Sequence, residues 1–261
     1  MHGRIISTVS YMDTAFDSTI DPREVEFYTR LADLWWDRAG PFWPLHTLNE
    51  LRVSYIRDHL CRHFGRDINS AQPLRGLRVL DVGCGGGILA ESMAALGAAV
   101  TGIDVVEKNT HVAALHAQQQ NLSITYLTGP ISSMVGAEQP FDVVLNMEVV
   151  EHVADLHTFM RDCTAMTANG GMMFVATINR TPLSWLFAII GAEYILRWLP
   201  RGTHRWNLFR KPQEITSLLQ RGGLTVTDSA GVAINPFKRR FSLASNLQVN
   251  YMLVAARHAP S

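Results

Sequence analysis

The chain has 261 residues, of which 47% are hydrophobic and 18% are charged, as is typical of one large globular domain with insertions and a well-buried core. Its 23 basic and 23 acidic side chains balance to a formal net charge of zero, which argues against nucleic acid as the main partner. The three cysteines lie far apart without a C-x-x-C pattern, so neither a disulfide framework nor a zinc cluster is expected, and a reducing compartment is indicated.

The start of the chain carries no targeting signal that its composition reveals. Residues 1–12 contain Arg4 as the only strong base and lack a long apolar core, unlike a secretory signal or an Arg-rich transit peptide. Residues 1–20 are predicted to be loose. A helix is predicted from Pro22, because Glu24 in its first turn and apolar residues at helical spacing follow.

An aromatic segment, residues 35–46, follows this helix. It contains three tryptophans and two prolines, which is a costly composition for a plain surface loop. Two interpretations stay open: the segment packs the N-terminal helix onto the core, or it forms one wall of a ligand pocket. A second helix is predicted over residues 49–64, with Arg52 on a face away from its buried side, and residues 72–76 link it to the first strand.

The pattern of a strand, a glycine loop and a helix start organises the rest of the chain. Residues 78–82 are short, apolar and β-branched, which predicts a buried strand, and a helix is predicted from Ile88. The dinucleotide fingerprint G-x-G-x-x-G would need glycine at position 88. What remains is G-x-G-x-G, opened by Asp81, which resembles the loop of class I S-adenosylmethionine (SAM) methyltransferases. Its glycines are Gly83, Gly85 and Gly87.

A second acid supports a nucleoside site. Residues 100–104 predict another strand, and its last residue, Asp104, lies about 20 residues after the loop, where an acid commonly binds ribose hydroxyls. Cys84 lies inside the loop and is interpreted as a small apolar filler and not as a nucleophile.

The remaining elements alternate between strand and helix, which predicts an α/β fold with a doubly wound, Rossmann-like parallel sheet. A closing antiparallel pair brings the expected total to seven strands, with an N-terminal helical extension and an apolar insert after the fifth strand. Helices are predicted at 107–120, 153–166 and 213–220, strands at 124–127, 141–147, 172–178, 224–228 and 248–256, and a polar loop at 242–247.

An acid–acid–histidine step follows the fourth strand, at the edge where open α/β sheets bind ligands. If the chain is helical there, Glu148, Glu151 and His152 share one face, and two carboxylates with an imidazole suit magnesium or manganese. The alternative is an ordinary capped helix in which His152 is an isolated base.

The apolar insert, residues 181–200, is about as long as a membrane span, but Glu193 and Arg197 lie inside it and prolines bound it. These charges are four residues apart and can pair on one face of a helix that lies in the membrane interface. The tryptophans of the insert suit the lipid headgroup boundary of such a helix. The alternative is a lid over the active site, and the two interpretations are compatible if the substrate is a lipid.

Motifs along most of the chain resemble the ubiquinone-biosynthesis O-methyltransferase family, SAM enzymes that methylate polyprenylated catechol intermediates. The glycine loop is generic to methyltransferases, whereas G-A-E-Y-I-L-R and the G-T-H step are specific to this family. The matching stretches are 35–37, 44–46 with Asn49 and Arg52, 80–93, 146–153, 191–197, 201–204, 235–236 and 249–252.

The resemblance implies site residues. It places SAM on Arg52, Gly83, Asp104 and Met147, in addition to Asp81, Gly85 and Gly87 of the loop, and it implies magnesium on Glu148, Glu151 and His152. His152 or His204 is expected to take the phenol proton. Residues 179–210 are expected to meet an anionic membrane.

Three departures from the family pattern stand out, of which one is the loop over residues 241–247. The loop after the third strand lacks the acid that often binds the adenine amine, so that contact is expected from backbone or Ser132. Ile234 stands where the family tends to have tyrosine.

The expected function is SAM-dependent methylation of 3-demethylubiquinol to ubiquinol and of 2-polyprenyl-6-hydroxyphenol to 2-polyprenyl-6-methoxyphenol. The expected organisation is an extension and linker over 1–76 and a methyltransferase domain over 77–261. A cytoplasmic enzyme at the bacterial inner membrane, in contact with a ubiquinone-biosynthesis complex, is expected. The alternatives are a methyltransferase of a soluble aromatic and a non-catalytic, membrane-associated assembly subunit.

Overall fold

A computed structural model of the chain describes residues 17–184, 208–235 and 240–259. Eight strands in these residues form one sheet, in the order β3-β2-β1-β4-β5-β8-β6-β7. The first five strands in the chain pair in parallel, and the last three add antiparallel. The strands are β1 Arg78–Val82, β2 Ala99–Asp104, β3 Ile124–Thr128, β4 Phe141–Met147, β5 Thr167–Ile178, β6 Thr225–Asn235, β7 Arg240–Ala244 and β8 Asn250–Ala256.

Helices cover both faces of the sheet, as the alternation of elements predicts. The helices are α1 Pro22–Leu31, α2 Trp43–His63, α3 Ile88–Ala95, α4 Glu107–Gln119, α5 Leu156–Ala165, α6 Pro182–Ser184 and α7 Pro212–Arg221. One layer of the core includes α2 and α3, and the other includes α5 and α7. Since α2 packs into the same core as the sheet, the boundary between residues 76 and 77 stays a prediction.

Three predicted element starts were wrong, and each has a local reason. Helix α2 begins at Trp43 and not at residue 49, because Pro44 occupies the first turn, where a missing N–H costs nothing. Helix α5 begins after Asp155, whose side chain accepts from the N–H groups of His157 and Thr158 and so caps the helix. Strand β5 begins at Thr167 and not at residue 172, because Thr167 already pairs with Phe141 of β4.

The sheet has one strand more than the seven that were predicted. Residues 242–247 were predicted to be a polar loop, but Arg240–Ala244 pairs antiparallel with β6 and forms the outer edge of the sheet. Polar residues are common on an edge strand because one side of it faces water, so polarity was a poor guide here. Strand β6 correspondingly extends to Asn235, well beyond the predicted end at residue 228.

Residues 185–207 lie outside the described residues. They include His204 and most of the predicted apolar insert. Its two ends are bound to the sheet: the Asn179 N–H donates to the Val249 carbonyl at 2.7 Å, and the Arg210 N–H donates to the Ile178 carbonyl at 3.2 Å. Within the part of the chain that the structure describes, no helix is both long and apolar enough to cross a bilayer.

Candidate active site

A cavity of about 610 Å³ lies where the parallel strands end. This is the edge of an open α/β sheet at which ligands bind. Of the seven residues predicted to bind SAM, six line the cavity, and Gly87 at the start of α3 does not. The six are Arg52, Asp81, Gly83, Gly85, Asp104 and Met147.

Two glycines of the loop have backbones that other residues rarely adopt. Gly83 has φ +68°, and a Cβ there would lie 2.5 Å from the side chain of Val149. Gly85 has φ +53°, and a Cβ there would lie 2.5 Å from the ring of Trp35. Glycine is therefore required at both positions for conformation and for space.

Asp81 places a carboxylate at the end of β1 with one oxygen unsatisfied. The residue is 3% exposed, and its Oδ2 atom has no hydrogen-bond partner in the described residues. Burial raises the pKa of Asp81 to about 7, and the Asp104 carboxylate adds to the rise, while Arg52 and a backbone hydrogen bond from Ala90 oppose it. A buried acceptor of this kind is expected to have a partner when a ligand is bound.

Asp104, at the end of β2, holds the loop in place. Its Oδ2 atom accepts from the Gly85 N–H at 2.9 Å, and its Oδ1 atom accepts from the Val106 N–H at 2.8 Å and the Asn109 side chain at 3.3 Å. Burial raises the pKa of Asp104, whereas these hydrogen bonds lower it. A carboxylate can accept more than three hydrogen bonds, so Asp104 retains capacity for a ribose.

Arg52 reaches the same cavity from α2. The guanidinium is ion-paired with Glu148, and its Nε atom has no hydrogen-bond partner in the described part of the chain. Glu148 has φ +59°, an uncommon conformation for a residue with a side chain, and directly follows Met147 at the end of β4.

The acid–acid–histidine step is not helical. The chain from residue 148 to residue 155 forms turns and bends, so the predicted common helix face was wrong. Glu151 accepts from the Thr177 hydroxyl at 2.7 Å, and His152 makes its contacts with α1. No group of three His, Cys, Asp or Glu side chains among residues 17–184, 208–235 and 240–259 is placed to hold a metal ion.

His152 lies between two residues of α1. Its Nδ1 atom is 3.1 Å from the Glu24 carboxylate, and its Nε2 atom is 3.3 Å from the Tyr28 hydroxyl. Burial lowers the pKa of His152, but the hydrogen bond to Glu24 and the charges of Glu151 and Glu148 outweigh it, so the pKa is raised. Glu24 was interpreted only as an acid in a first helical turn, and no local signal indicated its contact with His152.

The aromatic segment fulfils both interpretations. Trp35 is buried and stacks on Phe42 with ring centroids 3.9 Å apart, and its indole N–H donates to Asn109 at 2.8 Å. Trp35 also lines the cavity, and the indole N–H of Trp36 donates to the Gly86 carbonyl at 2.9 Å. The segment therefore packs α1 onto the domain and forms a wall over the glycine loop.

Ser132, the expected source of an adenine contact, does not line the cavity. Its hydroxyl donates to the Asp17 carboxylate. Residues 17–20 are anchored and not loose, since the Thr19 carbonyl accepts from the Ala154 N–H at 2.9 Å. This segment places Thr19 and Ile20 in the wall of the cavity, which Gly129 of the loop after β3 also lines.

Comparison with known proteins agrees with this geometry. Residues 53–229 match a family model described as a methyltransferase domain. The chain is 50% identical over 242 residues to the ubiquinone biosynthesis O-methyltransferase of Rhizobium leguminosarum bv. trifolii, covering 93% of this chain and 96% of that protein. It is 49% identical to the protein of the same name from Methylobacterium sp., covering 92% and 97%.

Solved structures share the fold at low sequence identity. Magnesium protoporphyrin IX methyltransferase from Synechocystis, solved with bound S-adenosylhomocysteine, has a TM-score of 0.61 at 18% identity and covers 88% of this chain and 99% of that one. A SAM-dependent methyltransferase from Clostridium acetobutylicum has a TM-score of 0.57 at 11% identity, covering 90% and 99%.

Proposed function

This chain belongs to the ubiquinone biosynthesis O-methyltransferase family, and from that premise we propose that it methylates polyprenyl catechols with SAM. The proposed reactions convert 3-demethylubiquinol to ubiquinol and 2-polyprenyl-6-hydroxyphenol to 2-polyprenyl-6-methoxyphenol. The observation that carries the proposal is a pair of buried, opposite charges at one cavity, each with a polar atom that has no hydrogen-bond partner within the described residues. They are Asp81, with its Oδ2 atom, and Arg52, with its Nε atom.

This pair fits the amino acid end of SAM. The α-ammonium group of SAM can donate a hydrogen bond to the Oδ2 atom of Asp81, and its α-carboxylate can accept one from the Nε–H of Arg52. Neither of these two protein atoms has a partner within the described residues. Gly83 and Gly85 leave the backbone between them bare, so a ligand can approach it closely. Asp104 is then the acceptor for the ribose hydroxyls, as the resemblance implies.

The chain's own residues then have to orient a phenol oxygen and accept its proton. When bound, SAM supplies an electrophilic methyl group on a sulfonium. His152 lines the same cavity as Met147 and is held by Glu24, so it is the candidate base within the described residues. Trp35 and α1 cover the cavity and limit the access of water. His204 stays a second candidate outside those residues.

The described arrangement does not fit a shared magnesium ion. Glu148 is paired with Arg52, Glu151 accepts from Thr177, and His152 is held by Glu24 and Tyr28. Magnesium binding, which the resemblance implies, stays a prediction. If it is correct, chelation abolishes turnover and added magnesium restores it.

The lipid substrate, the anionic membrane and a ubiquinone-biosynthesis complex also stay predictions. The sequence of the insert supports membrane contact, because residues 185–199 include four aromatic and many aliphatic side chains, with arginines nearby. Sedimentation with anionic liposomes that weakens with salt is the expected outcome. A methyltransferase of soluble aromatics would not sediment, and it would methylate water-soluble catechols equally well.

Incubation with labelled SAM and a short-chain prenyl catechol tests the proposal. Transfer of label to the catechol oxygen is expected, and Asp81→Asn is expected to reduce it by weakening SAM binding. The matched control is Asp142→Asn, an acid on β4 whose side chain accepts from the Arg78 N–H away from the cavity. Weak SAM binding without any transfer would instead favour the non-catalytic assembly subunit.

A further inference from the structure

The cavity has an apolar end that the SAM site does not account for. The order of the strands places Asp104 of β2 and Asp81 of β1 towards one end of the sheet edge. Strand β4, which Glu148 follows, lies next to β1. Beyond β4 the edge continues through β5, β8, β6 and β7, and the cavity lining continues with it. The lining there comprises Ile178, Asn250, Val232, Ile234 and Phe241.

The register of the strands shows that these side chains share one face. Asn250 is the partner of Ile178 across β5 and β8, and of Val232 across β8 and β6. Ile234 is the partner of Phe241 across β6 and β7. Paired residues point to the same side of a sheet, and so do residues two apart such as Val232 and Ile234. We call this strip of five residues the tail groove.

Helix α2 covers the tail groove. Its residue Leu48 lines the same cavity and belongs to the apolar cluster that includes Val232 and Phe241. The same helix carries Arg52 to the SAM end of the cavity. One helix therefore spans from the charged end of the cavity to its apolar end.

The groove runs across the strands from β5 to β7. Three strand spacings separate β5 from β7, which is about 14 Å at a spacing of about 4.8 Å. Asn250 is the single polar side chain among the five residues. Ile234 and Phe241 are half-buried on a hairpin that contains the edge strand, so each offers apolar surface to a ligand.

We propose that the tail groove binds the first isoprenyl units of the substrate, with the aromatic ring at β4 and the tail running towards β7. This inference rests on the proposed function and adds a site that selects for the tail. Ile234 and Phe241, at the far end of the groove, then contribute to catalysis only when the substrate carries a tail long enough to reach them.

The test compares two catechols that share a ring, one without a tail and one with a short isoprenyl chain. For the double variant I234A/F241A we expect the ratio of kcat/KM for the tailed over the tailless catechol to fall by about tenfold or more. The control is L115A, on α4, whose side chain is 47% exposed and does not line the cavity. It is expected to keep the wild-type ratio.

Calorimetry with S-adenosylhomocysteine verifies that the double variant is folded. If its ratio equals that of the wild type, the groove does not bind the tail, and the inference is overturned. If the double variant fails to fold, the single variant V232F, which narrows the groove, replaces it and must lower the same ratio. If the wild type transfers no methyl group to either catechol, the proposed function fails first, so the two failures are distinguishable.

Discussion

The two sides of the cavity arise from the sequence in different ways. The glycine side, residues 78–104, is one contiguous strand–loop–helix–strand unit that carries Asp81, the loop and Asp104. The N-terminal side, residues 24–42, lies far away in sequence. Its Trp35 lies against the glycine loop, and its Glu24 contacts His152. The glycine side offers a ligand the Asp81 Oδ2 atom, which has no partner within the described residues, whereas the N-terminal side supplies aromatic cover. Ligand binding therefore depends on the first side, and its enclosure depends on the second.

Removal of the main contact between the two sides is expected to have the largest effect. Trp35→Ala should lower the free energy of unfolding by about 3 to 5 kcal/mol, because it removes a buried indole that stacks on Phe42. Chemical denaturation measures the loss. Trp36→Ala is the matched control, since Trp36 is only half-buried, and a smaller loss is expected. Equal losses for the two variants would mean that Trp35 has no special place at the loop.

The sequence predicted the glycine side well because its signals are local. Strands β1 and β4 have the predicted bounds, since each is a short run of apolar residues between polar or glycine-rich segments. The N-terminal side was predicted only as two open alternatives for the aromatic segment. Which residue Trp35 faces depends on how α1 packs, and no spacing along the chain encodes that contact. The same limit applies to Glu24 and His152, which are 128 residues apart.

The edge of the sheet was missed for another reason. Strand β7 is only five residues long and its partner β6 contains Gly231, so residues 242–247 were interpreted as a loop. Residues 240–244 form a strand because they pair with β6, and this pairing exists only in the assembled sheet. The insert and His204 lie outside the described residues, so the predictions made for them stand as predictions.

The second prediction concerns the glycine side alone. Asp104→Ala should weaken SAM binding by about 2 kcal/mol, because it removes a charged acceptor for ribose hydroxyls and the support of the Gly85 N–H. Calorimetry on the folded variant measures the loss. Asn109→Ala removes only one hydrogen bond to Asp104 and serves as the graded control, with a smaller loss expected. An unchanged affinity for the Asp104 variant would contradict its assignment to SAM.

The third prediction concerns the N-terminal side alone. Glu24→Gln keeps the size of the side chain but removes the charge beside His152, so kcat should fall about tenfold while SAM affinity is retained. The pKa of His152 should fall as well, because Glu24 raises it. The acidic limb of the kcat profile should then shift to lower pH. Glu26→Gln, on the solvent side of α1, is the control, and it should leave kcat and the profile as in the wild type.

A fourth prediction follows from the raised pKa of Asp81. A carboxyl group whose pKa is raised by burial destabilises the folded state once it is ionised. The free energy of unfolding should therefore fall as the pH rises from the ordinary pKa of a carboxyl group to the raised pKa of Asp81, about 7. Asp81→Asn should therefore unfold at a higher temperature than the wild type at about pH 8. The difference should shrink towards about pH 4, where both side chains are neutral. A less stable variant at pH 8 would mean that the Asp81 charge supports the fold and is not held for a ligand.

The pH dependence of SAM affinity tests most directly whether Asp81 binds the ammonium group. Below about pH 7 the Asp81 carboxyl is protonated in the free protein and must lose its proton on binding, so affinity should fall by up to about tenfold for each pH unit below 7. Calorimetry from about pH 5.5 to pH 7.5 measures this slope. Asp81→Asn, which carries no titrating group, should bind more weakly at pH 7.5 and show no such slope. A wild-type affinity that does not vary with pH, or an equal slope in the variant, would contradict the assignment of Asp81 to SAM.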